Sequence, residues 1–158
     1  MFRYRWTLLL ALLCISACTK TDPTIETTWL DHESVQDESL TSSNYLVSTR
    51  FESPDAATLA TPVIIVAHGY TASTYEWITF QNDAEQDGNV YVSNVLLGGH
   101  GRSYTDFKES TWENWGQTIV DEYDALVEKG YTNISIAGSS TGVPLLLKQV
   151  ESGSFSGQ

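Results

Sequence analysis

From Val63 to Ala67 the chain reads Val-Ile-Ile-Val-Ala, an unbroken apolar and mostly β-branched run. A strand with one face in water would alternate polar and apolar side chains; this one has nowhere to put water. It therefore predicts a strand over 61–67 buried on both faces, which requires helices above and below the sheet. Two more strands are expected at 89–97, with Val90, Tyr91, Val92 and Val95, and at 133–138, with Ile134 and Ile136.

Helix signals fall between them. Ser73-Thr74-Tyr75-Glu76 has the form of a capping box opening a helix that carries Trp77, Ile78 and Phe80 inward and stops near Gly88. Ser110-Thr111-Trp112-Glu113 repeats the pattern. After it, Trp112, Trp115, Ile119, Val120, Tyr123, Leu126 and Val127 recur at three- and four-residue intervals, with Glu113, Gln117, Asp121, Asp124 and Glu128 opposite and a stop at Gly130. Such a stripe reads as a core face rather than a cofactor-binding aromatic box. Strand and helix alternate three times, which predicts an α/β fold with a mostly parallel sheet flanked by helices. Upstream, residues 44–51 have strand composition, closed by Ser53-Pro54-Asp55, and there are no internal repeats.

Each expected strand ends in a loop with small residues. The first runs into His68-Gly69-Tyr70, the second into Gly99-His100-Gly101 and the third into Gly138-Ser139-Ser140-Thr141-Gly142. Between a strand and a helix, Gly-x-Ser-x-Gly makes a sharp turn that displays the serine hydroxyl at its apex, the two glycines allowing close backbone approach. Ser139 fills the variable position and is expected to be structural. Gly-x-Ser-x-Gly alone is a weak signal, because small residues are common in loops. Three such loops in this order carry much more.

The order resembles the N-terminal half of an α/β-hydrolase, specifically the carboxylesterase, monoacylglycerol lipase and lysophospholipase branch, also described as serine aminopeptidase-like. Trp112-x-x-Trp115, Gly130-Tyr131 and Ile136-Ala137-Gly138 fit the same branch, so the likeness spans residues 45–150. It implies a serine hydrolase cleaving acyl or lipid esters through an acyl-enzyme on Ser140. The backbone N–H groups of Tyr70 and Thr141 would form the oxyanion hole. His68, Gly69, Gly99, His100, Gly101, Gly138 and Gly142 would shape the loops around it. In this family the order is Ser, then Asp or Glu, then His, so His68 and His100, which precede Ser140, are not expected to be the base. The acid and histidine of the triad are absent from the chain, which is expected to be an α/β-hydrolase truncated after the nucleophile helix. It should then be close to inactive alone, and poorly soluble because the strand ending at Gly138 exposes an apolar edge. Amide hydrolysis of the aminopeptidase kind, or ligand binding without catalysis, are the alternative functions. His32, Asp106, Asp121 and Asp124 are expected to be solvated. No metal-ligand spacing, phosphate loop or dinucleotide fingerprint occurs, so no cofactor and no metal are expected.

The N-terminus gives an address. Arg3 and Arg5 precede a short apolar stretch at 7–14 and the small residues Ile15-Ser16-Ala17-Cys18. This segment is too short to span a bilayer. Ile-Ser-Ala-Cys resembles the lipobox of bacterial lipoproteins, which implies a signal peptide at 1–17, lipidation of Cys18, and a polar tether at 18–43; the alternative is an ordinary secretory signal cut nearby. With Thr19 rather than aspartate after the cysteine, the resemblance implies a bacterial cell envelope protein anchored at the outer membrane. Cys14 leaves with the signal, so no disulfide is expected. The net charge of −12 repels nucleic acid. The expected partners are therefore an ester substrate and, through Cys18, the membrane.

Overall fold

The computed structural model describes residues 45–155. Three strands, β1 (Val63–Ala67), β2 (Tyr91–Val95) and β3 (Ile134–Gly138), form one parallel sheet in the order β2-β1-β3. Among the described residues six α-helices accompany them, α1 (Val47–Arg50), α2 (Ala56–Ala60), α3 (Ile78–Asp87), α4 (Tyr104–Glu109), α5 (Trp112–Glu128) and α6 (Gly142–Glu151), with a 3-10 turn (Thr74–Trp77) leading into α3. The fold is of the α/β class, as the alternation predicts.

The strands differ in burial, and β2, although at an edge, is buried from Val92 to Val95 because helices pack on it. Central β1 has Val63, Ile65, Val66 and Ala67 fully buried, so both faces are covered, whereas the residues of edge strand β3 are half-buried or exposed. The register pairs Val63 with Tyr91 on one side and Ile134 on the other, and Ala67 with Val95 and Gly138. All three strands thus end level, and their loops emerge together.

The chain steps from β1 to β2 and then crosses back over β1 to reach β3. Right-handed crossovers in opposite directions put α3 on one face and α5 on the other. α5 packs on β1, β2, α1 and α6, while α3 packs on β2. The core joins Ile65, Leu97, Ile119, Tyr123, Leu126 and Leu145. Of the expected α5 stripe, Ile119, Val120, Tyr123 and Leu126 are buried, Trp115 and Val127 are half-buried, and Trp112 at its first turn is exposed. The helix closes with Gly130 at φ 97°. Asp106, Asp121 and Asp124 are exposed, as expected.

Four local expectations are corrected. Of the stretch 44–51, the described residues 45–51 do not add a strand: 47–50 form one helical turn, whose first N–H groups are met by side chains from other elements. Val47 N–H donates to Ser93 Oγ (3.1 Å) and Ser48 N–H to Glu122 Oε1 (3.2 Å). At 73–76 Ser73 caps the turn, but Glu76 reaches away instead of closing the box, and the first turn is 3-10 rather than α. Phe80, expected inside, is exposed. The cap of α5 is Thr111 rather than Ser110, with Asn114 completing a reciprocal capping box. Helix α4, capped by Ser103, follows the Gly99-His100-Gly101 loop where no element is expected from the sequence. Among the described residues no helix is long and apolar enough to cross a membrane.

Candidate active site

In an open parallel sheet, ligands collect beyond the C-terminal strand ends, where neighbouring strands send their connections to opposite faces. Here that point lies between β1 and β3. The loops leaving it are His68-Gly69-Tyr70 and Ser139-Ser140-Thr141.

β3 ends at Gly138 and α6 begins at Gly142, so the chain turns sharply between them. Ser140 takes φ 43°, in the left-handed region, which costs a residue with a side chain about 1–2 kcal/mol. The turn is held in place by Ser139 N–H donating to Ala67 O (3.0 Å), Gly142 N–H to Ser139 O (2.7 Å) and Val143 N–H to Ser140 O (3.2 Å). A Cβ at Gly142 would stand 2.5 Å from Ala67 O, and one at Gly138 would stand 2.9 Å from the Gly142 carbonyl carbon. Backbone on the facing side explains why both positions are glycine. Ser140 is left exposed at the N-terminal end of α6.

The loop after β1 presses against this turn. A Cβ on Gly69 would lie 3.2 Å from Ser140 Cβ. Glu76 ties the two loops together: its Oε2 accepts from Gly69 N–H (2.9 Å), and its Oε1 accepts from the Ser139 hydroxyl. Neither the Tyr70 nor the Thr141 N–H enters a backbone hydrogen bond among the described residues. The structure therefore brings together Gly69, Tyr70, Gly138, Ser140, Thr141 and Gly142.

His68 is fully buried, and both ring nitrogens are engaged. Nδ1 lies 2.9 Å from Gly69 O, and Nε2 accepts from Leu97 N–H at 3.1 Å, which fixes the Nδ1–H tautomer. Burial pushes its pKa down to about 4. The neighbouring His100 acts in the same direction, against the Gly69 carbonyl and Glu76. It is a neutral strut between the loops after β1 and β2. Unfolded, this imidazole titrates near 6.5, so between pH 6.5 and 4 the unfolded chain binds the extra proton. The contribution to stability is complete above pH 6.5 and lost as pH falls towards 4, up to about 3 kcal/mol. Urea unfolding from pH 7 to 4 should show this slope in the wild type and lose it in His68→Gln. Parallel pH profiles for the two proteins would show that His68 is not held neutral.

Gly99 (φ 75°) and Gly101 (φ 63°) turn the loop after β2 so that His100 enters an aromatic cluster. The His100 ring lies edge-on to Phe107 and Trp115, both at 4.9 Å, and 5.0 Å from His68; burial lowers its pKa. The Tyr70 ring leans on Phe107 (5.3 Å) and Trp115 (5.8 Å). The Gly-His-Gly loop thus backs the residue whose N–H is the candidate oxyanion donor. Beside it, Tyr70, Tyr104, Phe107, Lys108, Ser110 and Trp115 line a cleft of about 320 Å³.

A larger cleft, about 390 Å³, lies away from Ser140 and contains Glu122, Ser48, Asn94 and Arg102. Glu122, 4 % exposed, accepts hydrogen bonds from Ser48 N–H, Ser48 Oγ and Ser93 Oγ. It is a structural centre. Sequence reasoning missed both acidic residues: Glu76 was absorbed by its capping pattern, whereas Glu122 stands three after Ile119 and four before Leu126, on the buried face of α5. That placement was the available signal.

Among the described residues no group of three or more His, Cys, Asp or Glu side chains could hold a metal ion. Cys18, the tether and His32 lie outside the described residues. Compared with known family models and with curated proteins, the chain matches none.

Proposed function

We propose that this chain carries the nucleophile and oxyanion hole of a serine hydrolase of the α/β-hydrolase type, acting on acyl or lipid esters through an acyl-enzyme on Ser140. The observation that carries the reading is the strained left-handed Ser140, exposed at the start of a helix and packed against Gly69. Strain at a residue with a polar side chain persists where the surroundings over-determine it, and such sites cluster where chemistry is done. An ester carbonyl placed over Ser140 Oγ would meet the N–H groups of Tyr70 and Thr141 as its oxygen gains charge, with the α6 dipole adding in the same sense. Attack forms the Oγ–C bond and passes the serine proton to a base; collapse expels the alcohol and leaves the acyl-enzyme, which water then cleaves.

Neither histidine among the described residues is placed to serve as that base. His68 has no free ring nitrogen, and His100 is packed behind Tyr70 in the aromatic cluster. Anchoring through Cys18 would hold the site at a lipid surface.

A fluorophosphonate probe tests the assignment on the protein as the cell makes it. Mapping of the labelled peptide is expected to place the phosphonyl group on Ser140. Label on any other serine, or none on a form that hydrolyses p-nitrophenyl esters, would overturn it.

A further inference from the structure

Glu76 sits at the junction of the two loops that define the site. Its carboxylate receives Gly69 N–H at 2.9 Å through Oε2 and the Ser139 hydroxyl through Oε1. One side chain therefore holds both the residue before Tyr70 and the residue before Ser140. A Cβ at Gly69 would stand 3.4 Å from Glu76 Oε2 and 3.2 Å from Ser140 Cβ, so carboxylate, loop and elbow are in mutual contact.

We infer that Glu76 is a positioning residue for catalysis, a clamp that sets the distance between the Tyr70 oxyanion donor and the Ser140 hydroxyl. This rests on the serine hydrolase reading above. The local structure gives the side chain no alternative use of comparable strength. It stands in the 3-10 turn after Ser73, where a capping glutamate would fold back on the cap, yet both oxygens are turned outward to the loops. Glu76 is exposed, so hydrophobic burial does not explain its placement. Both donors come from other segments, and hydrogen bonds to an ionised carboxylate are among the stronger ones a protein makes.

The mechanical consequence is specific. Tyr70 N–H is the next amide after the one Glu76 holds, and Thr141 N–H lies two residues after Ser139. Fixing Gly69 and Ser139 to one carboxylate fixes the gap across which an oxyanion must fit. A donor must sit at about 2.7–3.1 Å from that oxygen, so movement of either loop by about 1 Å removes its benefit. The variable position of Gly-x-Ser-x-Gly thereby acquires a role: the Ser139 hydroxyl is the elbow's half of the clamp.

The experiment uses the protein as the cell makes it, with p-nitrophenyl butyrate as substrate. Glu76→Ala is expected to lower kcat between about 10- and 100-fold with KM within about threefold, because the defect lies in transition-state binding. Glu76→Gln, whose amide oxygen still accepts from Gly69 and whose amide nitrogen faces the Ser139 hydroxyl, should recover most of the loss. Ser139→Ala should lower kcat less than Glu76→Ala. Amide exchange at Gly69 should quicken in Glu76→Ala, reporting the clamp without any reference to turnover. A merely structural glutamate would lower the melting temperature and the active fraction together, leaving kcat per folded molecule unchanged; that result overturns the inference. Unaltered Gly69 exchange in Glu76→Ala overturns it as well. A wild-type protein that never hydrolyses the ester brings down the hydrolase reading and this inference together, whereas an active wild type with an equally active Glu76→Ala removes the clamp alone.

Discussion

On the serine hydrolase reading, and in the protein as the cell makes it, Ser140→Ala is expected to lower ester hydrolysis by on the order of 10⁶-fold while leaving the protein folded. The size follows from cooperation between nucleophile and base: once either is gone, the other contributes almost nothing, and only the oxyanion hole and binding remain. Ser140→Gly should be equally inactive, yet differ in stability. The native φ of 43° is costly for serine and for alanine and nearly free for glycine. Glycine at this position should therefore raise the unfolding free energy by about 1 kcal/mol over alanine, after allowance for its greater freedom in the unfolded chain. The pair separates function from stability at one residue: the hydroxyl proposed as nucleophile stands where the backbone favours glycine. Initial rates with p-nitrophenyl butyrate and urea unfolding curves supply both readouts. More than about 1 % residual turnover in Ser140→Ala would place the nucleophile elsewhere.

The sheet was legible because its evidence is a repeated physical pattern. Val63 to Ala67 offers no polar side chain to water, and the structure duly puts it in the centre with a strand on each side. The α5 stripe was legible for the same reason, since burial of one face leaves a periodic trace. Residues 44–51 failed because strand composition says nothing about whether a neighbouring edge is free. The turn at 47–50 is stabilised by Ser93 and Glu122, both far along the chain. Cap positions slipped by a residue where Ser110 and Thr111 compete. The Ser110 hydroxyl instead donates to Phe107 O and accepts from Trp115 Nε1–H, leaving Thr111 to cap.

The geometry of the candidate site was legible in its glycines and its serine, whose spacing reflects strictly local geometry. Placing Gly138, Ser140 and Gly142 at one turn needs only the chain between β3 and α6. The partners were not legible. Glu76 meets Ser139 across more than sixty positions of sequence, and its local context offers a simpler capping role that the fold does not use. His68 could be set aside as base only through chain order, whereas the structure gives a direct reason in its two engaged nitrogens.

The second large effect concerns Glu122, which no functional motif touches. Its carboxylate lies in the interior between α5, β2 and α1 and takes three donors: the Ser48 amide, the Ser48 hydroxyl and the Ser93 hydroxyl. Ser93 Oγ in turn accepts from Val47 N–H, so the two first amides of α1 depend on this one acid, directly or at one remove. Glu122→Ala leaves these buried donors without an acceptor, at roughly 1–3 kcal/mol for each group that water does not reach. The neighbouring cleft admits water to part of the network, so the expected loss is about 3–4 kcal/mol rather than the full sum. Glu122→Gln keeps one acceptor oxygen of similar shape and should lose about half as much. Urea unfolding measures both, and protease digestion near Arg50 should accelerate in Glu122→Ala, because α1 has no long apolar face of its own to hold it against the sheet. A loss below about 1 kcal/mol in Glu122→Ala would mean that α1 is held by Val47 packing and the Arg50–Glu85 ion pair instead, the latter making bonds of 3.0 and 2.7 Å beside β2. Glu122→Gln distinguishes the two, since it keeps the side-chain volume: loss of packing alone would spare it, whereas loss of the acceptor network costs it about half the effect of Glu122→Ala.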